Sequence, residues 1–270
     1  IVKNHPDIIK KYIKNSLKVD NLYLDCNSII YDAYAKMNAE KITDEIASTI
    51  ISRVIAKIEE YISVIEPSNT TIIAFDGVAP VAKLEQQRSR RYKSWYQNEI
   101  NRGLFKKQTP DIWNTASITP GTLFMQTLNE KIKAHFIKNS NYGEHKILVS
   151  GSDDPGEGEH KLFEFIRKFP DKHKNETTVI YGLDADLIML SINHLPICPN
   201  IYLFRETPHF IQSIDSSLQP DANYFLDIPV LASNIIHYMN NDTDVDPLHQ
   251  KNKVYDYIFL CFFLGNDFLP

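Results

Sequence analysis

Short unbroken apolar runs alternate along the chain with longer stretches in which apolar positions recur every three or four residues. The runs predict strands over 22–24, 71–75, 146–149, 178–181 and 201–204. Between Thr43, a candidate N-cap, and Pro67, the residues Ile46, Ile50, Val54, Ile58 and Ile62 fall on one face and predict the longest helix. Thr119-Pro120 has the form of an N-cap followed by proline at the first helical position, opening a helix toward Lys138. Asp154-Pro155 has the same form and would place Glu157 and Glu159 in a first helical turn. The apolar run 257–264, followed by Gly265, predicts a buried helix, and the polar stretch 240–246 predicts a loop. Strands alternating with helices in this way predict an α/β fold, with a mostly parallel central sheet flanked by helices. Residues 1–270 show no repeat and no low-complexity linker, so one domain is expected.

Composition agrees with a large packed core: 270 residues, 43% hydrophobic and 23% charged. Cys26, Cys198 and Cys261 lie far apart without a C-x-x-C pair, which argues for a reducing compartment and against zinc. The longest apolar run is far shorter than the roughly 20 residues that span a bilayer, and no leader opens the chain. The expectation is a protein without a membrane partner, cytoplasmic or alternatively nuclear. A start at Ile1 and an end at Pro270 suggest a domain incomplete at both ends.

The acids change the picture. Asp25 follows the first strand, Asp76 the second, and Asp184 and Asp186 follow the run 178–181. In open parallel sheets ligands bind beyond the carboxyl ends of the strands, so these side chains are expected at one crevice. Glu157 and Glu159 open a helix at the same edge, and Asp267 follows the last apolar segment. Any one of these acids alone reads as a cap, a turn former or a solvated charge. Seven gathered together would repel strongly unless cations sit between them or several stay protonated. Hard oxygen ligands suit Mg²⁺ or Mn²⁺, and a pair of such ions about 4 Å apart can drive in-line attack of water on a phosphodiester.

A net charge of -5 argues against a nucleic-acid partner, but its distribution does not. Between Lys83 and Lys107 there are eight basic residues against two acids. Lys83, Gln87, Arg90 and Arg91 fall within an arc of about 100° on a helix. This face begins shortly after Asp76, and it reads either as a cluster of donors for a terminal phosphate or as a solvated helix face. Tyr92, Trp95 and Tyr96 read as packing anchors, and His160 as a helix-start residue bonding locally. No Ser-His-Asp or Cys-His arrangement is present, so no covalent intermediate is expected.

Six blocks resemble the XRN-type 5′-to-3′ exoribonucleases and, more distantly, the flap endonucleases. They are Leu24-Asp-Cys-Asn-Ser-Ile-Ile, the stretch from Phe75-Asp-Gly-Val-Ala-Pro to Gln86-Gln-Arg-Ser-Arg-Arg, Ile118-Thr-Pro-Gly-Thr-Leu-Phe-Met, Pro155-Gly-Glu-Gly-Glu-His-Lys, Gly182-Leu-Asp-Ala-Asp-Leu and Phe263-Leu-Gly-Asn-Asp-Phe-Leu-Pro. The resemblance implies a flap-nuclease-like (PIN) sheet. It also implies that Asp25, Asp76, Glu157, Glu159, Asp184, Asp186 and Asp267 are catalytic ligands of two Mg²⁺, with Mn²⁺ a substitute. By the same resemblance, Lys83, Gln87, Arg90 and Arg91 take the 5′-monophosphate of single-stranded RNA, which is released as mononucleotides. Tyr31 stands where the family has a histidine that stacks on the terminal base, and it offers a ring without an imidazole. The block Trp113-Asn-Thr-Ala-Ser is looser than the family's, and the family's glycine-containing opening segment and second stacking aromatic are not in the sequence. Two other readings stand beside this one: a flap-type DNA endonuclease, and a noncatalytic RNA-binding relative.

Overall fold

The computed structural model describes residues 5–14, 16–36, 46–105, 113, 115–137, 145–182, 184–206, 218–219, 222–239 and 246–264. The strand β1 (Ile9–Lys11) is followed by β2 (Asn21–Asp25), α1 (Asn27–Ala35), α2 (Ile46–Ile65) and β3 (Thr70–Ala74). Then come α3 (Val81–Phe105), α4 (Leu123–Phe136), β4 (Lys146–Ser150), α5 (Gly158–Lys168) and the single turn α6 (Pro170–His173). The chain continues through β5 (Thr178–Tyr181), α7 (Ala185–His194), β6 (Ile201–Glu206), β7 (Asn223–Asp227), α8 (Ile228–Met239) and α9 (Pro247–Phe263).

Among the described residues the strands form one seven-stranded sheet in the order β1-β7-β6-β5-β2-β3-β4. The five strands from β6 to β4 are parallel, while β7 and β1 add antiparallel to one side. The fold is therefore α/β with a mostly parallel sheet. From β2 the chain builds outward through β3 and β4, then returns to lay β5 and β6 on the other flank of β2. The order reverses between β2 and β5, which is where an open α/β sheet leaves a crevice at its carboxyl edge.

Both faces of the sheet are covered, as the uninterrupted apolar character of the strands requires. Leu22, Leu24, Ile73, Val179 and Tyr181 point to one side, against Ile29 and Ile30 of α1, Ile50, Val54 and Ile58 of α2, and Leu128 and Ile132 of α4. Tyr23, Ile72, Ala74 and Ile180 point to the other, against Leu162, Phe163 and Ile166 of α5, Leu187 of α7 and Leu231 of α8. The alternation follows from the two-residue period of a strand.

The five expected strands are present with ends shifted by at most two residues. The four-residue apolar spacing of α2 buries Ile50, Val54, Ile58 and Ile62, but α3, with 25 residues against 20, is the longer helix. Thr43, Gly265 and positions 240–245 of the expected loop lie outside the described residues. The cap of α4 is Thr122, whose hydroxyl accepts from the Met125 N–H, and Thr119-Pro120 forms the turn before it. The cap position of α5 is Glu157 rather than Asp154, because the Pro155-Gly156 bend carries the chain past Asp76 before the helix starts. The expected buried helix over 257–264 is the end of α9, but only Ile258 is buried there and Phe263 is 69% exposed. Tyr92, Trp95 and Tyr96 are not packing anchors: all three are exposed on α3, Trp95 at 53%. Among the described residues no helix is long and apolar enough to cross a membrane.

Ile58 lies fully buried between α2 and the sheet. Ile58→Ala is expected to lower the unfolding free energy by about 3 kcal/mol with an unchanged denaturant slope, read from urea titration.

Candidate metal and phosphate centre

Four loops deliver carboxylates to the carboxyl edge of the sheet. Asp25 is the last residue of β2, in register with Ala74, and Asp76 stands two residues beyond β3. Glu157 holds the N-cap position of α5 and Glu159 sits in its first turn; Asp184 and Asp186 repeat the arrangement on α7. Carboxylate oxygens of Asp25, Glu159 and Asp184 lie within 4.8 Å of one another, as do ligand atoms of Glu157, Glu159 and His160. Glu159 belongs to both groups. The amino ends of α5 and α7 face this edge, and their unpaired N–H groups favour negative charge.

Asp76 is held by neutral donors and acceptors, and the strand exits beside it by a lysine. The Asn27 amide clamps Asp76 from two sides: its Nδ2 donates to Oδ2, and its Oδ1 accepts from the Asp76 N–H at 3.1 Å. The Gly158 N–H, an orphan donor at the start of α5, donates to Asp76 Oδ1 at 2.7 Å. Lys161 Nζ donates to the carbonyls of Phe75 at 2.7 Å and Gly151 at 2.8 Å, tying together the exits of β3 and β4. Glycine at 158 is a packing requirement, since a Cβ there would meet Asp25 Oδ1 at 2.4 Å.

Burial is the first cause that raises the pKa values of these acids, and like charge adds to it. Asp25 is pushed up to about 8 by burial and by Asp76 and Asp184, and its Oδ1 is buried without a hydrogen-bond partner. Glu159 is pushed up to about 8 by burial and by Asp184, Asp25 and Asp186. Burial raises Asp76 as well, opposed by the Gly158 N–H. An orphaned carboxylate oxygen among carboxylates that hold protons for want of counter-charge fits a divalent cation bound by oxygen donors. The cluster can hold metal ions.

The basic helix reaches this cluster. Lys83 and Glu157 are both buried, 8% and 5% exposed, and Lys83 Nζ donates to Glu157 Oε2 at 2.8 Å. Gln87 Nε2 donates to Glu157 Oε1 at 3.4 Å, and Arg91 Nη2 donates to Gln87 Oε1 at 3.5 Å. Arg90 and Arg91 are exposed on the same helix. Tyr31, on α1, is 47% exposed, so its ring is open to contact. His160 Nε2 lies 3.9 Å from Glu157 and 3.8 Å from Glu159, too far for the local bond expected of it, and close enough to both to form a group of potential ligands with them. Asp267 lies outside the described residues. The sequence reading missed Asn27, Gly158 and Lys161 as the frame of the site. All three lie inside blocks already singled out, between residues of evident chemistry.

The family model for the XRN 5′-3′ exonuclease N-terminus matches residues 1–207. The chain belongs to this family. It is 32% identical over 94% of its length to 5′-3′ exoribonuclease 2 of Yarrowia lipolytica, of which it covers 29%. It is 33% identical over 93% of its length to 5′-3′ exoribonuclease 1 of Saccharomyces cerevisiae, of which it covers 17%. The chain thus spans less than a third of these curated relatives. Among solved structures, the catalytic core of Rad2 in complex with DNA substrate aligns with 100% of this chain and 62% of that one, at TM-score 0.47 and 16% identity. Glu157, Glu159 and the Asn27–Asp76 clamp all fall inside the span matched by the XRN family model.

In the metal-free protein the raised carboxyls set the sign of a pH effect. Asp25 has an ordinary value of 3.8 and a folded value of about 8, so between these limits the native state binds more protons than the unfolded state. Stability should therefore fall as pH rises through this window and level off above it. Calorimetry in chelator is expected to show a lower Tm at pH 8 than at pH 5, and Asp25→Asn should raise the pH 8 value. An Asp25→Asn protein with the unaltered pH slope would remove this account of the cluster.

Proposed function

We propose that the chain carries the catalytic centre of a metal-dependent 5′-to-3′ exoribonuclease, acting on 5′-monophosphorylated single-stranded RNA and releasing nucleoside 5′-monophosphates. Residues 1–270 would form one nuclease domain of a longer enzyme. The observation that carries the reading is the meeting of carboxylates from β2, the loop after β3, α5 and α7, buried at Glu157 and Glu159 and exposed at Asp184 and Asp186, with Lys83 and Gln87 of α3. Membership of the XRN family and the named relatives support it. Free cysteines at 26, 198 and 261 suit the cytoplasm, or alternatively the nucleus.

Asp25, Asp76, Glu157, Glu159, Asp184 and Asp186 would hold two Mg²⁺, with Asp267 completing the set and Mn²⁺ an adequate substitute. Bound there, such ions supply Lewis acidity to a phosphodiester and lower the pKa of water. The chain's own residues do the positioning. Asn27 and the Gly158 N–H fix both oxygens of Asp76, and Lys161 fixes the strand exits behind it. Lys83, Gln87, Arg90 and Arg91 would gather the 5′-phosphate, the arginines through planar paired donors and Lys83 as a point charge. Tyr31 would stack on the terminal base.

Asp184→Asn keeps an acceptor for the Leu187 N–H that caps α7, and so should spare the fold while removing one ligand charge. In the full-length protein it should reduce mononucleotide release at least about 100-fold, measured on 5′-labelled RNA with Mg²⁺ and with chelator. Retained turnover would count against the metal centre. Arg90→Ala should narrow the preference for 5′-phosphate over 5′-hydroxyl RNA roughly tenfold. An unchanged preference would remove the pocket assignment, and cleavage of a DNA flap in place of RNA would favour the endonuclease reading.

A further inference from the structure

One contact joins the acidic cluster directly to the basic helix. Glu157, counted among the metal ligands, has both carboxylate oxygens engaged by α3: Oε2 by Lys83 and Oε1 by Gln87. It occupies the N-cap position of α5 yet makes no side-chain cap bond to its own helix. The carboxylate has therefore turned away from the local donors that would ordinarily take it, toward a partner 74 residues distant in sequence. Both members of the pair are buried, so the attraction is little screened and each charge needs a counter-charge.

We propose that Glu157 is a specificity-determining link, through which cation and 5′-phosphate bind in mutual support. It rests on the function proposed above. In the metal-free protein Glu157 occupies Lys83 and Gln87, and so competes with a phosphate for the same donors. Glu157, Glu159 and His160 already form a group of potential ligands, and with a divalent cation held there the Glu157 carboxylate would be engaged by the ion rather than by Lys83. The positive charge of Lys83 then faces an incoming phosphate instead of Glu157. Run in the other direction, a phosphate that takes Lys83 and Gln87 hands Glu157 to the cation. By linkage the two effects must be equal in free energy. An RNA end lacking the phosphate would gain none of this support, so the end chemistry would be read partly as metal loading.

The test is calorimetric and needs no turnover, with adenosine 5′-monophosphate and Mg²⁺ as probes on the intact protein. For the wild type, saturating Mg²⁺ should tighten nucleotide binding about tenfold over chelator, within the range usual for coupled sites. Adenosine, lacking the phosphate, should show no such gain. In chelator alone, Glu157→Gln should bind the nucleotide about tenfold tighter than wild type, because the carboxylate bonded to Lys83 has become a neutral amide. Asp184→Asn removes a charge from the same cluster without touching Lys83, and should give a much smaller gain. The wild-type linkage is measured independently of how well either variant folds. Nucleotide and Mg²⁺ that bind independently in the wild type, or a Glu157→Gln gain no larger than that of Asp184→Asn, would overturn the link while leaving the function standing. Failure of either probe to bind at all would overturn the function and the link together.

Discussion

Carboxylates cannot be crowded at a buried sheet edge without something to neutralise them, and the rest of this molecule answers to that constraint. Neutralisation takes three forms: raised pKa values that favour protons on Asp25 and Glu159; fixed dipoles, from the Gly158 N–H and the amino ends of α5 and α7; and the cationic side chains Lys83, bonded to Glu157, and Lys161, close to Asp76. The scaffold behind them is apolar and dense on both faces of the sheet, so it holds the acids at separations they would not choose in water. The reversal of strand order between β2 and β5 creates the opening, and Asp25 and Asp184 stand on its two sides.

The frame around the acids divides the labour. Asn27 and Lys161 set the geometry, since one fixes the carboxylate of Asp76 and the other ties the exits of β3 and β4, its charge also favouring the ionised form of Asp76. Gly158 contributes by what it lacks, leaving room for the Asp25 carboxylate against the start of α5. The Gly-Glu-Gly-Glu stretch therefore combines two ligand-type side chains with the bare backbone that lets them approach the others.

The parts of this arrangement that are local in sequence were legible before any coordinates. Asp25, Asp76 and Asp184 each follow an apolar run, and the strand-then-acid order was enough to place them at one edge. The antiparallel strands β1 and β7 were not legible: β1 has three residues, two of them lysine, and β7 passes into α8 with only Asp227 at the junction. Asp227, which accepts from the Val230 N–H, was the available signal for the start of α8. The caps of α4 and α5 were misplaced by about one turn, because a Thr-Pro or Asp-Pro pair marks a bend as readily as a helix start. Contacts between distant elements, above all Lys83 with Glu157, have no periodic signature to read. The exposed aromatics of α3 and the exposed end of α9 were misjudged for a related reason: apolar character reports a preference for burial, not the presence of something to bury against.

The short strand β1 has a meaning for the molecule in solution. A sheet ends in unpaired backbone groups, and a long flat border recruits strands from other molecules. Here one border is reduced to three residues, of which Lys10 and Lys11 are lysines, and Lys10 is drawn across to the buried Asp227 of the neighbouring strand. A border so brief and so charged offers little template for intermolecular pairing on this side of the sheet.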